Sequence, residues 1–211
     1  MHLKMIRHNL KYKLFFLTKI LVIYFMFFLK SYGDSISADN NLIALGSNEA
    51  PVKIKIFSSL TCPHCANFHI KIVPEIKKDY VDKNKVQLIF IDFPLDQAAF
   101  NASKLLHCLD KKNQFTYFDN IYKNQNRWTS GSNIKEINNN LKNMVKNLGI
   151  SNEKFDKCLD DEEISDKILI NRIYGQKKYS INATPTIIIN EKKFEGSFNY
   201  KSIKEKIEKL I

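Results

Sequence analysis

The stretch Val52-Lys-Ile-Lys-Ile-Phe-Ser-Ser-Leu-Thr-Cys62-Pro63-His64-Cys65 decides the fold. Val52, Ile54 and Ile56 alternate with Lys53 and Lys55, the period of a strand with one buried face. A helix is expected to open at Thr61 or Cys62, with Pro63 at an early position where its missing N–H costs nothing. Phe68, Ile72 and Ile76 follow at helical spacing on one side. Val86-Gln-Leu-Ile-Phe-Ile-Asp-Phe93 reads as a second, more apolar and more central strand. Strand, helix and strand in this spacing make a βαβ unit and imply parallel pairing.

Beyond it, residues 97–180 hold no convincing strand. Ala99, Leu105, Leu106 and Leu109 mark one helix; Phe115, Phe118, Ile121 and Tyr122 mark another. Residues 127–133 read as a loop, 134–148 as a helix ended by Gly149, and 152–159 as a short helix capped by Ser151 or Asn152. Residues 162–179 form the last helix of the block, with acids first and Lys177 and Lys178 last, as the helix dipole favours. Thr186-Ile187-Ile188-Ile189-Asn190 is a strand, Glu191-Lys192 a turn into a second short strand, and 200–211 an amphipathic helix. The layout is an α/β chain, β-α-β … β-β-α, with an all-helical insertion.

The ends differ in charge. The chain has 211 residues, 33 Lys and Arg against 22 Asp and Glu. Six of the basic residues and no acid fall in residues 1–33, so over half of the net +11 sits there. An uninterrupted apolar run covers 20–29, followed by Ser31, Gly33, Ser35, Ser37 and Ala38. That is a secretory signal pattern, and the run is about half of the roughly 20 residues a membrane span needs. Residues 1–33 are therefore expected to be a signal peptide, with a retained membrane anchor as the alternative. The remaining Lys residues are interleaved with Asp and Glu, the pattern of solvated helix faces, which argues against a nucleic-acid partner.

Cys62-Pro63-His64-Cys65 carries the chemistry. Two intervening residues at a helix start let both sulfurs reach disulfide distance. The first sulfur then faces unpaired N–H groups and the positive end of the dipole, which favour thiolate. Stabilising the thiolate stabilises the reduced protein and makes the disulfide oxidising. Cys62 is expected to be the exposed attacking sulfur, Cys65 the buried resolving one, and His64 a further donor or cation. A substrate thiolate would attack Cys62, and a second would resolve the mixed disulfide. Thr184-Pro185, just before an apolar strand, is a candidate substrate-binding element: the proline belongs at the strand's edge, and a cis bond would free the Thr184 backbone for an extended substrate. The alternative reading of Cys62 and Cys65 is a copper or zinc site, for which the sequence offers no second motif. His69 and His107 read as helix-surface residues. Cys108 and Cys158, an even pair in an exported chain, are expected to form a structural disulfide, with two separate buried thiols as the alternative.

With Ile56-Phe-Ser-Ser-Leu-Thr61 before Cys62-Pro63-His64-Cys65, Phe93-Pro94-Leu95 after it, a helical insertion and Ala183-Thr184-Pro185-Thr186, the chain from about residue 45 onward resembles the DsbA family of periplasmic thiol:disulfide oxidoreductases. The resemblance implies a thioredoxin-like fold in two parts, 34–96 and 181–211, around the helical insertion 97–180. It implies a redox-active Cys62–Cys65 disulfide and no other cofactor, a cis-proline at Pro185, and reduced exported proteins as substrates. It also implies reoxidation by a membrane quinone reductase of the DsbB type, and the expected state is a monomer in the periplasm. Some relatives carry a second bridge in the helical domain, which supports Cys108–Cys158. The isomerase or reductase branch usually adds a dimerisation domain, for which the dozen residues between leader and first strand leave no room. One departure is visible: family members often carry a buried acid on the strand before the active site, where this chain has Ile56, with Lys55 beside it. Proton transfer from Cys65 would then run through water or another group.

Overall fold

A computed structural model describes residues 43–211, together with Lys19. The expected signal segment lies outside the described residues apart from Lys19. Five strands form one mixed sheet in the order β1-β3-β2-β4-β5. Strand β2 (Val52–Ser58) pairs in parallel with β3 (Val86–Asp92) and antiparallel with β4 (Thr186–Ile189). The edges are β1 (Ile43–Leu45), antiparallel to β3, and β5 (Lys192–Lys193), antiparallel to β4. Strand β1 was not expected from the sequence.

Between β2 and β3 the chain forms α1 (Pro63–Lys71), then α2 (Val73–Ile76) and a π-helical turn (Lys77–Val81). Pro74 lies in the first turn of α2 and breaks what Phe68, Ile72 and Ile76 suggest as one continuous helix. Between β3 and β4 lie α3 (Gln97–Cys108), α4 (Lys111–Lys123), α5 (Gln125–Trp128), α6 (Ile134–Val145), α7 (Asn152–Asp160) and α8 (Glu162–Tyr179). Gly149, at φ +89°, ends the short turn after α6. Ser151 caps α7 and Asp161 caps α8 with their side-chain oxygens. Helix α9 (Tyr200–Glu208) closes the chain, capped by Asn199.

The sheet is buried on both faces, where alternation predicts one. Val52, Ile54 and Ile56 enter the main core with Val86, Leu88, Ile187 and Ile189. On the opposite face Phe57, Ile91, Phe93, Ile181 and Ile188 form a second cluster beneath Tyr179 of α8. Helix α8 approaches this face closely at Gly175, where an added Cβ would lie 2.8 Å from Phe57 Cε1. Lys55 reaches the same side half-buried and pairs with Glu191, which also binds Lys178 and Tyr179. Among the described residues no helix is long and apolar enough to cross a membrane.

Candidate active site

Cys62 stands at the C-terminal end of the β2 connection and is the N-cap of α1, with extended backbone and Pro63 in the first turn. Cys65 lies on the inner side of that turn. Both sulfur residues are buried, Cys62 at 7% exposure and Cys65 at 2%. The expectation of an exposed Cys62 therefore needs correction: the two thiols differ less in exposure than in what surrounds them. The Cys62 thiol donates to the Thr184 carbonyl at 3.2 Å. The Thr184–Pro185 bond is cis, so the loop before β4 stands against the first cysteine. Thr184 Oγ1 is buried with no hydrogen-bond partner, beside two sulfurs that can accept from it once ionised.

The two sulfurs have opposite tendencies. Cys62 is lowered from 9.0 to about 5, chiefly because the Cys65 thiol donates to its anion. Burial opposes this, while Thr184 and the backbone N–H groups of Cys65 and His64 reinforce it. Burial pushes the Cys65 thiol up, and the Cys62 charge beside it adds to the effect. His64 contributes through its backbone; its side chain is exposed, as is Pro63.

Residues that sequence reasoning missed hold this loop in place. Buried Gln125, from the helical insertion, donates from one Nε2 to the carbonyls of Leu60 at 2.8 Å and Cys62 at 3.1 Å. Asp96 accepts from the Thr61 hydroxyl at 2.6 Å with one oxygen and from the Ala99 N–H at 2.8 Å with the other, so one carboxylate ties the active-site loop to the start of α3. Only the N-cap position of Asp96 before a helix could have flagged it.

Two histidines need correction. His69 is buried, not on the surface: its ring lies among Phe90, Phe115, Phe118 and Tyr122, with Nε2 3.4 Å from Asp119. Burial pushes it down to about 4 against the pull of Asp119. His107 is largely buried and hydrogen-bonds Asp92 at 2.6 Å. Cys108 and Cys158 are joined, with Cα atoms 6.0 Å apart. Among the described residues no group of three or more His, Cys, Asp or Glu side chains is placed to hold a metal ion.

These directions set a pH dependence. Cys62 has its ionisation lowered by folding, so it stabilises the reduced fold fully above about pH 9; that contribution declines as pH falls and is gone below about pH 5. Ultraviolet thiolate absorbance of the reduced chain is expected to rise near pH 5, and the melting-point advantage of reduced over oxidised protein to shrink on acidification through that window. A first thiolate transition at pH 9 would contradict both.

Comparison with known proteins agrees with this geometry. A family model described as thioredoxin matches residues 38–209. A Rickettsia bellii relative bearing the name protein-disulfide oxidoreductase is 30% identical over 183 residues, 86% of this chain and 69% of that protein. The chain spans about two thirds of the length of the first rickettsial relatives it matches. The crystal structure of Wolbachia pipientis alpha-DsbA1 superposes with a TM-score of 0.74 at 27% identity, covering 84% of this chain and 94% of that one. BdbD from Bacillus subtilis superposes with a TM-score of 0.71 at 26% identity, covering 82% and 94%. The family model covers most of the chain and the named relatives and superposed structures are disulfide oxidoreductases, so the chain belongs to the thioredoxin family and, within it, to the DsbA-like thiol:disulfide oxidoreductases.

Proposed function

We propose that the chain donates the Cys62–Cys65 disulfide to exported proteins in the periplasm, through a mixed disulfide at Cys62. The observation that carries this reading is the placement of Cys62 at the start of α1, 3.2 Å from the Thr184 carbonyl of the cis-proline loop, with Cys65 buried behind it; these surroundings favour the thiolate at Cys62 and the thiol at Cys65. A substrate thiolate bonds to Cys62 Sγ while the Cys62–Cys65 bond breaks and its electron pair leaves on Cys65. A second substrate thiolate then attacks the substrate sulfur of the mixed disulfide, and Cys62 leaves as the better-stabilised thiolate. Thr184, whose carbonyl already faces Cys62, is the backbone edge along which an extended substrate would lie. The expected reoxidant is a membrane quinone reductase of the DsbB type, and the acting species a monomer.

The test is the equilibrium potential of Cys62–Cys65 against glutathione, together with oxidative refolding of a reduced secreted protein. An oxidant is expected near about −120 mV and accelerates refolding; a value near about −270 mV would mark a reductant and overturn the assigned direction.

A further inference from the structure

The exchange reaction leaves Cys65 with a proton to find. The electron pair of the broken disulfide arrives on a sulfur that is 2% exposed, where an unprotonated thiolate is costly. Ile56 on β2, 1% exposed and apolar, supplies nothing. A buried carboxylate exists on the neighbouring strand instead.

Tyr122 of α4 is fully enclosed, and its hydroxyl points at the active-site loop, 3.5 Å from the Ser59 carbonyl and in interaction with the Ser58 side chain. The Ser59 backbone in turn bonds the Cys65 sulfur. Ser58 ends β2 directly opposite Asp92, which ends β3. Both residues line a cavity of about 10 Å³, together with Leu60, Leu106 and Phe118, which is the room of about one water between two polar groups. Asp92 Oδ2 then meets His107 Nε2 at 2.6 Å, and His107, at 16% exposure, is the first member of the row that reaches solvent. We propose that Tyr122, Ser58, Asp92 and His107 form the proton line of Cys65, running from the buried sulfur through this cavity to the surface of the helical insertion. The inference rests on the disulfide-exchange reading of Cys62 and Cys65.

In the forward step, the substrate sulfur bonds to Cys62 as the Cys62–Cys65 bond breaks, and both bonding electrons stay on Cys65. Cys65 takes the Tyr122 proton; Tyr122 is resupplied through Ser58, and Asp92 and His107 pass the replacement in from solvent. When a partner's disulfide reoxidises the pair, the same proton leaves along the same row. The groups are tuned for transit. Burial raises the Tyr122 phenol and the Cys65 charge raises it further, so Tyr122 does not end as a phenolate. Burial alone would raise the Asp92 carboxyl, yet His107 and the Ser103 hydroxyl hold it below the ordinary range. The other titratable or charged groups facing the row are Tyr117 of α4 beside Asp92, His69 of α1 beside Tyr122, Cys62, and Arg172 of α8 over the ring of Phe93. His69 is the competing route, but the charges that act on it are Asp119 and Lys123, not Cys65.

The experiment is single-turnover reduction of the oxidised full chain by glutathione, followed against pH, with each rate divided by the fraction of glutathione present as the attacking thiolate. Tyr122→Phe keeps the ring and removes only the hydroxyl. It is expected to slow the step by about tenfold or more, at the modest end of general acid–base effects. Asp92→Asn is expected to change the shape of the pH profile as well as the rate, which a purely structural role would not do. His69→Gln is expected to stay within about twofold of wild type. Thiolate titration of Cys62 should be unmoved in Tyr122→Phe. Wild-type rates in Tyr122→Phe at every pH would overturn the proposal, as would a slow His69→Gln beside a fast Tyr122→Phe. A wild-type chain that exchanges no disulfide with glutathione would instead remove the exchange reading beneath it.

Discussion

Cys62→Ser is expected to reduce disulfide exchange to the uncatalysed level, while Cys65→Ser retains a single round of attack and stalls. The asymmetry follows from the site. No other sulfur among the described residues stands at the mouth of the active-site helix, and a serine oxygen there neither forms a disulfide nor ionises in this range. In Cys65→Ser the Cys62 sulfur keeps its donors: the backbone N–H groups remain, and the serine hydroxyl can replace the Cys65 thiol as the largest of them. Such a variant still attacks oxidised glutathione or a substrate disulfide, but lacks the thiol that would expel the partner. Mass measurement without reductant should therefore show one adduct at Cys62 in Cys65→Ser and none in Cys62→Ser. Cys65→Ala sharpens the argument, because it removes the donor altogether. Its Cys62 is expected to ionise closer to the ordinary value, with a correspondingly smaller thiolate fraction at neutral pH. Full refolding activity in Cys62→Ser would remove Cys62 from the centre of the mechanism.

The fold was legible wherever one local pattern decided an element. The alternation in Val52–Ser58 and the charge gradient in Glu162–Tyr179 gave their elements with the observed bounds. Cys62-Pro63-His64-Cys65 was legible because the motif carries its own largest donor, the Cys65 thiol, and its own backbone N–H groups, whereas Thr184, which also acts on Cys62, comes from a loop 122 residues later. What stayed hidden depends on distant packing. Strand β1 is three residues long and exists through its pairing with β3. His69 looks like a polar helix residue until α4 brings Phe115, Phe118 and Tyr122 over it. Asp92 looks like the polar end of a strand until His107, 15 residues later, comes back to it. Ile56 correctly signals that its own position holds no acid, but a single strand cannot report what its neighbour carries at the same level. Gln125 gives no local signal at all, since its two carbonyl partners are 65 and 63 residues away.

Removing both Cys108 and Cys158 by alanine substitution is expected to lower the unfolding free energy by about 4 kcal/mol, the loop-closure effect of a bond between residues 50 apart. For a folded part of this size that is a fall in melting temperature of roughly 8–16 °C. The bond joins the end of α3 to α7 and encloses α4, α5 and α6, so its loss frees most of the insertion in the unfolded chain while leaving the folded contacts largely in place. Those contacts include the Lys104 ammonium, which donates to the Leu159 carbonyl beside the bridge. The insertion should therefore remain folded in the variant, and urea unfolding should show a lower midpoint, with a slope equal to or slightly above wild type because the open chain exposes more surface. Single substitutions would not give this reading, since each leaves a thiol able to exchange with Cys62 and Cys65. Reductant would not give it either: it also opens the active-site pair, whose thiolate stabilises the reduced fold and so masks part of the loss. The double variant isolates the bridge, and equal stability with wild type would mean that no bond between these two cysteines constrains the chain.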